Sequence, residues 1–367
     1  MSEPSPLEKE IRRLIAVGGP MPIARYMTLC LTHPQYGYYV TRDPFGAGGD
    51  FTTAPEVSQI FGELLGLWAL SVWRMLEEPP SVRLIELGPG RGTMMRDALR
   101  ASKVLPKFRS ALSVHLVEIS PTLEQLQRSS LSDADLPLSW HRSLMDVPED
   151  GPAIILANEY VDALPVHQVV KQSDGWHERV IGLNANGDFA LGLAPDPLPQ
   201  FDRFMPKKIK DAPNGAIFEW RNDLHAFDIA RRVRTDGAAL IIDYGHAESD
   251  LGETLQSVNE HAFADPLSAP GLADITAHVD FSIFGEAAQA IGAAVQGPVT
   301  QGNFLRELGI EARAEALRRG ATPEQAANIT AAVVRLTESG RTGMGDLFKV
   351  LAICDPKLGP LPGLVPA

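Results

Sequence analysis

Residues 84–93 read Leu84-Ile85-Glu86-Leu87-Gly88-Pro89-Gly90-Arg91-Gly92-Thr93, an apolar run that ends in an acid and breaks into three glycines at alternate positions. A helix-capable segment, residues 94–99, follows. Strand, tight turn and helix start, in that order, bring backbone close to a ligand at a helix N-terminus, as α/β folds do. The glycines are spaced G-x-G-x-G, whereas a pyrophosphate-cradling dinucleotide turn reads G-x-G-x-x-G. That spacing disfavours a nicotinamide-dependent oxidoreductase. A turn that merely joins a strand to a helix is the plainer alternative, and the rest of the chain weighs against it.

Residues 113–118 form a second apolar run ending in an acid, Glu118, after an intervening helical stretch. An acid at the end of a second strand is placed to accept hydrogen bonds from both hydroxyls of a ribose. Residues 153–157 read as a buried strand running into Asn158-Glu159, and residues 238–242 as another running into Asp243-Tyr244-Gly245. Residues 348–353 are the last apolar run. Apolar runs alternating with helical segments predict a parallel sheet, whose ligand sits outside the carboxyl ends of the strands. Gly88, Glu118, Asn158, Glu159 and Asp243 all fall at such ends.

The chain has 367 residues, enough for a large core and one elaborated domain. A formal net charge of −13 argues against general nucleic-acid binding and suits a basic protein partner better. The two cysteines, Cys30 and Cys354, lie far apart, so they predict reduced core thiols and no zinc site. Residues 1–10 carry acids and prolines without a secretory or organellar pattern, and no run is long enough to span a membrane, so the cytoplasm of a bacterium is the expectation.

Residues 7–32 read as one or two helices. Residues 36–51 mix aromatics with glycine and proline and are the candidate lid, with Tyr38, Asp50 and Phe51 as substrate or lid residues. Thr53-Ala54-Pro55-Glu56 has the pattern of a capping box ahead of a long helix striped by Val57, Ile60, Phe61, Leu64, Leu65, Trp68 and Val72. Residues 176–193, broken by Asn184-Ala185-Asn186-Gly187-Asp188, predict a β-hairpin, and residues 303–340 an alanine- and charge-rich helical insertion. The expected organisation is an N-terminal helical extension with its lid over 1–80, a catalytic domain over 81–356 with insertions at about 173–235 and 246–345, and a Pro/Gly tail over 357–367.

Residues 158–165 place Asn158, Glu159 and Asp162 directly after a strand. Glu159 and Asp162 would suit an arginine acceptor, because a carboxylate pair can hold the guanidinium fork and bias its charge away from the attacking nitrogen. Asn158 and Asp162 also suit the N-cap of the next helix.

The E-x-G-x-G-x-G turn resembles motif I of class I S-adenosylmethionine methyltransferases. Tyr26-Met27, His33-Pro34-Gln35-Tyr36-Gly37-Tyr38-Tyr39, Gly49-Asp50-Phe51-Thr52-Thr53-Ala54-Pro55-Glu56, Val117-Glu118-Ile119-Ser120, residues 158–165 and the run from Pro266-Leu267 to Thr276-Ala277-His278-Val279-Asp280-Phe281 together resemble the MidA family. That family holds bacterial proteins and the mitochondrial complex I assembly methyltransferase, and the likeness covers nearly the whole chain. It implies an α/β fold, a Rossmann-like class I methyltransferase sheet carrying helical and hairpin insertions, with S-adenosyl-L-methionine as cofactor and no metal. It further implies arginine N-methylation, symmetric dimethylation of an NADH dehydrogenase subunit, so the expected partner is a protein substrate. The implied cofactor residues are Glu86, Gly88, Pro89, Gly90, Gly92, Thr93, Glu118, Ile119 and Asn158, with Leu144 and Met145 toward adenine by analogy with the fold. Glu159 and Asp162 are the catalytic candidates, and His278 is expected to help shape the cleft. A non-catalytic S-adenosylmethionine-binding assembly factor for a respiratory complex is the alternative, and a homodimer is compatible with the long apolar helices.

Overall fold

The computed structural model describes residues 3–42, 53–199, 201, 205, 207–259, 262–340 and 343–364. The chain divides into two compact units. One gathers Met1–Pro44, Asp162–Asn222 and Glu248–Asp280, and the other Phe45–Val161, Asp223–Ala247 and Phe281–Ala367.

The second unit is built on seven strands: β1 (Val82–Leu87), β2 (Leu112–Val117), β3 (Leu138–His141), β4 (Ala153–Asn158), β5 (Gly237–His246), β6 (Ala294–Thr300) and β7 (Phe348–Cys354). They are hydrogen-bonded in the order β6-β7-β5-β4-β1-β2-β3. All pairings are parallel except those of β7, which runs antiparallel to both β5 and β6. Every residue of β1 and β4 is buried, as expected for central strands covered on both faces. The strand order reverses between β1 and β4, and their carboxyl ends therefore open a crevice at a topological switch point.

One face is covered by the helix Gln59–Met75, which lies backbone to backbone on the helix Thr93–Ser102. Gly62 and Gly66 permit that approach. A Cβ on Gly66 would sit 2.5 Å from the Ala98 carbonyl oxygen, and one on Gly62 2.8 Å from that of Met94. Glu63 lies buried beside them and accepts Arg100 (3.0 Å) and Arg313 (2.7 Å), which ties this helix to Thr93–Ser102 and to Ile310–Arg318.

The first unit has the helices Pro6–Gly18 and Ile23–Thr32 and an antiparallel sheet of Val166–Gln172, Gly175–Leu183, Phe189–Pro197 and Ile217–Arg221. A second sheet pairs Gln256–Asn259 with Ala262–Ala264 and Asp274–Thr276. Its core is separate, formed by Leu7, Ile11, Tyr26, Met27, Cys30, Tyr38 and Ile275 among others.

Several local expectations differ from the structure. Thr53 makes no side-chain cap; the helix behind it stops at Val57, and Ser58 restarts the chain as the cap of Gln59–Met75, its hydroxyl accepting the Ile60 N–H at 3.3 Å. The Glu56 carboxylate is turned to another use, accepting the Thr93 hydroxyl at 2.6 Å. The span 246–345 is not uniformly helical: it holds the three-stranded sheet and also β6, which joins the main sheet. The helix Leu224–Val233, read as part of the first insertion, belongs to the second unit, as does Gln59–Met75, read as part of the N-terminal extension. The Pro/Gly stretch after Asp355 packs inward, with Leu361 and Leu364 buried in the core under β7.

Candidate functional site

The turn after β1 is set by its glycines, with φ of +63° at Gly88, +54° at Gly90 and +78° at Gly92. This left-handed region costs a side chain about 1 kcal/mol or more. At Gly88 a Cβ would also meet the Tyr160 ring at 3.0 Å. The Gly88 N–H donates to the Val117 carbonyl (3.1 Å) and the Gly92 N–H to that of Pro89 (2.8 Å), after which the helix starts at Thr93. Ahead of the turn Glu86 is buried, and its Oε2 has no hydrogen-bond partner among the described residues. Burial, with the charge of Glu118 adding to it, pushes the Glu86 carboxyl well above the usual range.

At the end of β2 the Glu118 carboxylate is buried and held on both sides. Its Oε1 accepts the Ser120 N–H at 2.7 Å and its Oε2 the Gln127 amide at 3.0 Å. Burial pushes its pKa up to about 7, against the lowering effect of those same bonds. After β3 a single 3-10 turn, Leu144–Asp146, is capped by Ser143, whose hydroxyl accepts the Met145 N–H at 3.1 Å. Leu144 is buried and Met145 half exposed. The buried Arg232 clamps this turn from beneath, donating to the carbonyls of Leu144 (2.5 Å), Val147 (2.5 Å) and Pro148 (3.0 Å). The Ile119 carbonyl accepts from Arg142.

At the end of β4 the Glu159 N–H donates to the Ile242 carbonyl (2.9 Å), continuing the ladder for one residue. Its own φ is +49°, uncommon for a side-chain-bearing residue and a mark of imposed geometry. Its Oε1 accepts the Ala54 N–H (3.2 Å) and the Asn158 amide (3.1 Å). The Asn158 Oδ1 is buried without a partner among the described residues. Asp243, fully buried within β5, holds the turn from behind: its Oδ2 accepts the N–H groups of Tyr160 (3.2 Å) and Val161 (2.9 Å). The Tyr160 phenol, beside Gly88, is pushed up to about 12 by burial.

Glu86, Gly88, Pro89, Gly90, Gly92, Thr93, Glu118, Asn158 and Glu159 thus cluster at the carboxyl ends of three adjacent strands within the second unit. Asp162, Tyr38 and His278 belong to the first unit, the boundary falling between Val161 and Asp162. There Tyr38 is buried in the core edge-on to Tyr39, and the Asp162 Oδ1 accepts the Ala163 N–H at 2.8 Å. The Arg221 guanidinium gathers this region by donating to the carbonyls of Asp162 (3.0 Å), Leu164 (3.2 Å), Ala277 (2.6 Å) and His278 (2.7 Å). Asp50 and Phe51 lie outside the described residues. Sequence reasoning missed Gln127, Tyr160, Arg221 and Arg232 as parts of these sites. Only Asp243 carried a signal, as a polar residue closing an apolar run.

The second unit fits an adenosyl amino acid cofactor. A carboxyl oxygen of Glu86 and the amide oxygen of Asn158, both buried and unpartnered among the described residues, stand beside a turn whose backbone can approach closely, and the held Glu118 carboxylate sits one strand away. Residues 64–299 match a family described as "Putative S-adenosyl-L-methionine-dependent methyltransferase". The protein arginine methyltransferase NDUFAF7 homolog, mitochondrial, of Drosophila melanogaster is 39% identical over 378 residues, spanning 95% of this chain and 84% of that protein. The human protein arginine methyltransferase NDUFAF7, mitochondrial, is 36% identical over 343 residues, 85% of this chain and 75% of its own length. A Burkholderia thailandensis protein, crystallised bound to S-adenosyl-homocysteine, superposes with a TM-score of 0.83 at 29% identity over 100% of this chain and 96% of that one. Among the described residues no helix is long and apolar enough to cross a membrane. Topology, glycine turn and relatives agree: the chain belongs to this MidA-like family of S-adenosyl-L-methionine-dependent methyltransferases, and S-adenosyl-L-methionine is its cofactor.

Proposed function

We propose that this chain methylates arginine side chains of a protein substrate, symmetrically, on a subunit of NADH dehydrogenase in the bacterial cytoplasm. The observation that carries this reading is Glu159, an acid locked at positive φ where β4 delivers it beside the cofactor turn. The names of the relatives at 36–39% identity support the arginine acceptor.

The cofactor supplies an activated methyl group on a sulfonium. Everything else falls to the chain. A guanidinium is cationic at any working pH, with its lone pairs delocalised over three nitrogens. Glu159, fixed by the Ala54 N–H and the Asn158 amide, is suited to accept the N–H groups on one edge of the fork. That contact draws positive charge toward the bound edge and leaves the remaining nitrogen better able to attack. Because methyl transfer is an in-line displacement, most of the acceleration is positioning and electrostatics of this kind. Glu118 serves the ribose, and Glu86 with the glycine turn serves the amino acid end.

The test combines a gene deletion with complementation and mass spectrometry of methyl-arginine peptides. Deletion is expected to remove them from an NADH dehydrogenase subunit, and the wild-type gene to restore them. Glu159→Gln should lower methylation at least about 100-fold, the scale of a lost transition-state contact. Its affinity for S-adenosylhomocysteine should stay close to wild type. A Glu159→Gln gene that restores the peptides fully would remove Glu159 from the catalytic reading, and a deletion that leaves the peptides unchanged would favour an assembly factor.

A further inference from the structure

Gln127, on the helix Pro121–Ser130, is wholly buried and uses its amide at three places at once. Its Nε2 donates to the Gly90 carbonyl at 2.7 Å and to the Glu118 Oε2 at 3.0 Å, while its Oε1 accepts the Trp140 indole N–H at 2.9 Å. The amide has one orientation available. An indole N–H only donates, and a carbonyl and a carboxylate only accept, so a flipped amide would face donor to donor and acceptor to acceptor.

We propose that Gln127 is a positioning residue for the cofactor: it sets the plane of the Glu118 carboxylate toward the two ribose hydroxyls and, through the same nitrogen, the depth of the glycine turn at Gly90. The inference rests on the reading of Glu118 as the ribose acid. A carboxylate offers about four acceptor positions. Ser120 takes one on one oxygen and Gln127 one on the other, and the Ile119 N–H also bonds the group, which fixes its rotation without exhausting it. A pair of adjacent hydroxyls needs this geometry, two oxygens side by side in a defined plane. The sugar site and the amino acid site thereby share one amide, and that amide is anchored in turn by Trp140 on β3.

The experiment measures Kd by calorimetry for S-adenosylhomocysteine and for its 2′-deoxyribose analogue, in the full chain and in Gln127→Leu and Trp140→Phe. Wild type should prefer the ribose compound by roughly 10- to 100-fold, the scale of a hydrogen bond to a charged acceptor. Gln127→Leu, which keeps bulk but removes the amide, should weaken S-adenosylhomocysteine and leave the deoxy analogue much less affected, cutting the preference about tenfold. Trp140→Phe, which frees the amide to rotate, should cut it in the same direction by less. A residue of merely structural importance would weaken both ligands together. Variants that keep the full wild-type preference therefore overturn the proposal, whatever their stability. Should Gln127→Leu fail to fold, Trp140→Phe decides by the same ratio. A wild-type preference near unity overturns the ribose reading of Glu118 itself, and the proposal with it.

Discussion

With Glu118 as the proposed ribose acid, cofactor binding is expected to carry a sharp pH signature. In the cofactor-free protein its pKa is pushed up to about 7 by burial, from an ordinary value of 4.5. Ribose hydroxyls donate, so the bound state requires the ionised form. With a single proton to expel, the apparent Kd scales as 1 + 10^(pKa − pH): about 1.1-fold above its limit at pH 8, about 11-fold at pH 6 and about 100-fold at pH 5. The stability of the cofactor-free protein moves the other way. A pKa raised on folding means the native state holds more protons than the unfolded chain between pH 4.5 and 7. The contribution of Glu118 is therefore fully present below pH 4.5 and is lost as pH rises through 7, on the order of 3 kcal/mol in all. The rise in Tm on adding saturating S-adenosylhomocysteine should consequently be larger at pH 8 than at pH 5.5. Calorimetric titration of wild type and Glu118→Gln across pH 5–8 isolates the effect, since ionisation of the ligand is common to both. The variant should bind about 10- to 100-fold more weakly at pH 8 and lose most of the acid limb. Wild-type and Glu118→Gln affinities that run parallel over the whole range would refute the reasoning.

Two further substitutions probe the scaffold. Gly66→Ala gains about 1 kcal/mol in helix propensity but drives a Cβ into the backbone of Ala98, so a net loss of roughly 2 kcal/mol is expected in a urea melt, with weaker cofactor binding as the helix after the glycine turn is displaced; a stabilised variant would contradict the backbone-to-backbone packing. Asp243→Ala strands the buried N–H groups of Tyr160 and Val161, so methylation should fall at least about tenfold while affinity for S-adenosylhomocysteine stays within about threefold, and equal losses in both would show that the turn after β4 serves the cofactor as much as the acceptor.

The parts of the fold that were legible in the chain have strong local signals. β1, β2, β4 and β5 are predominantly apolar and almost wholly buried because both faces of the sheet are covered, and a glycine at every second position after β1 allows little but a tight turn. β6 was hidden. It lies at the sheet edge, is only half buried, and contains Gly297-Pro298 at a register shift, which breaks the pattern a strand would show. The capping pattern at Thr53 misled because its acid is recruited by Thr93, a partner 37 residues away that no local rule anticipates. The same holds for the site. Glu118, Glu159 and Asp243 close apolar runs and are visible as such, whereas Gln127 and Arg232 act on atoms brought near only by the finished sheet.

The placement of β7 sets a condition on biosynthesis. This strand threads between β5 and β6, which are both complete about 50 residues or more before it emerges. Until residues 348–354 leave the ribosome, each of those neighbours presents an unsatisfied backbone edge, and the apolar surface later covered by Leu361 and Leu364 stays wet. The nascent chain therefore holds an open sheet until β7 pairs, and shielding by a chaperone would be needed most in that interval.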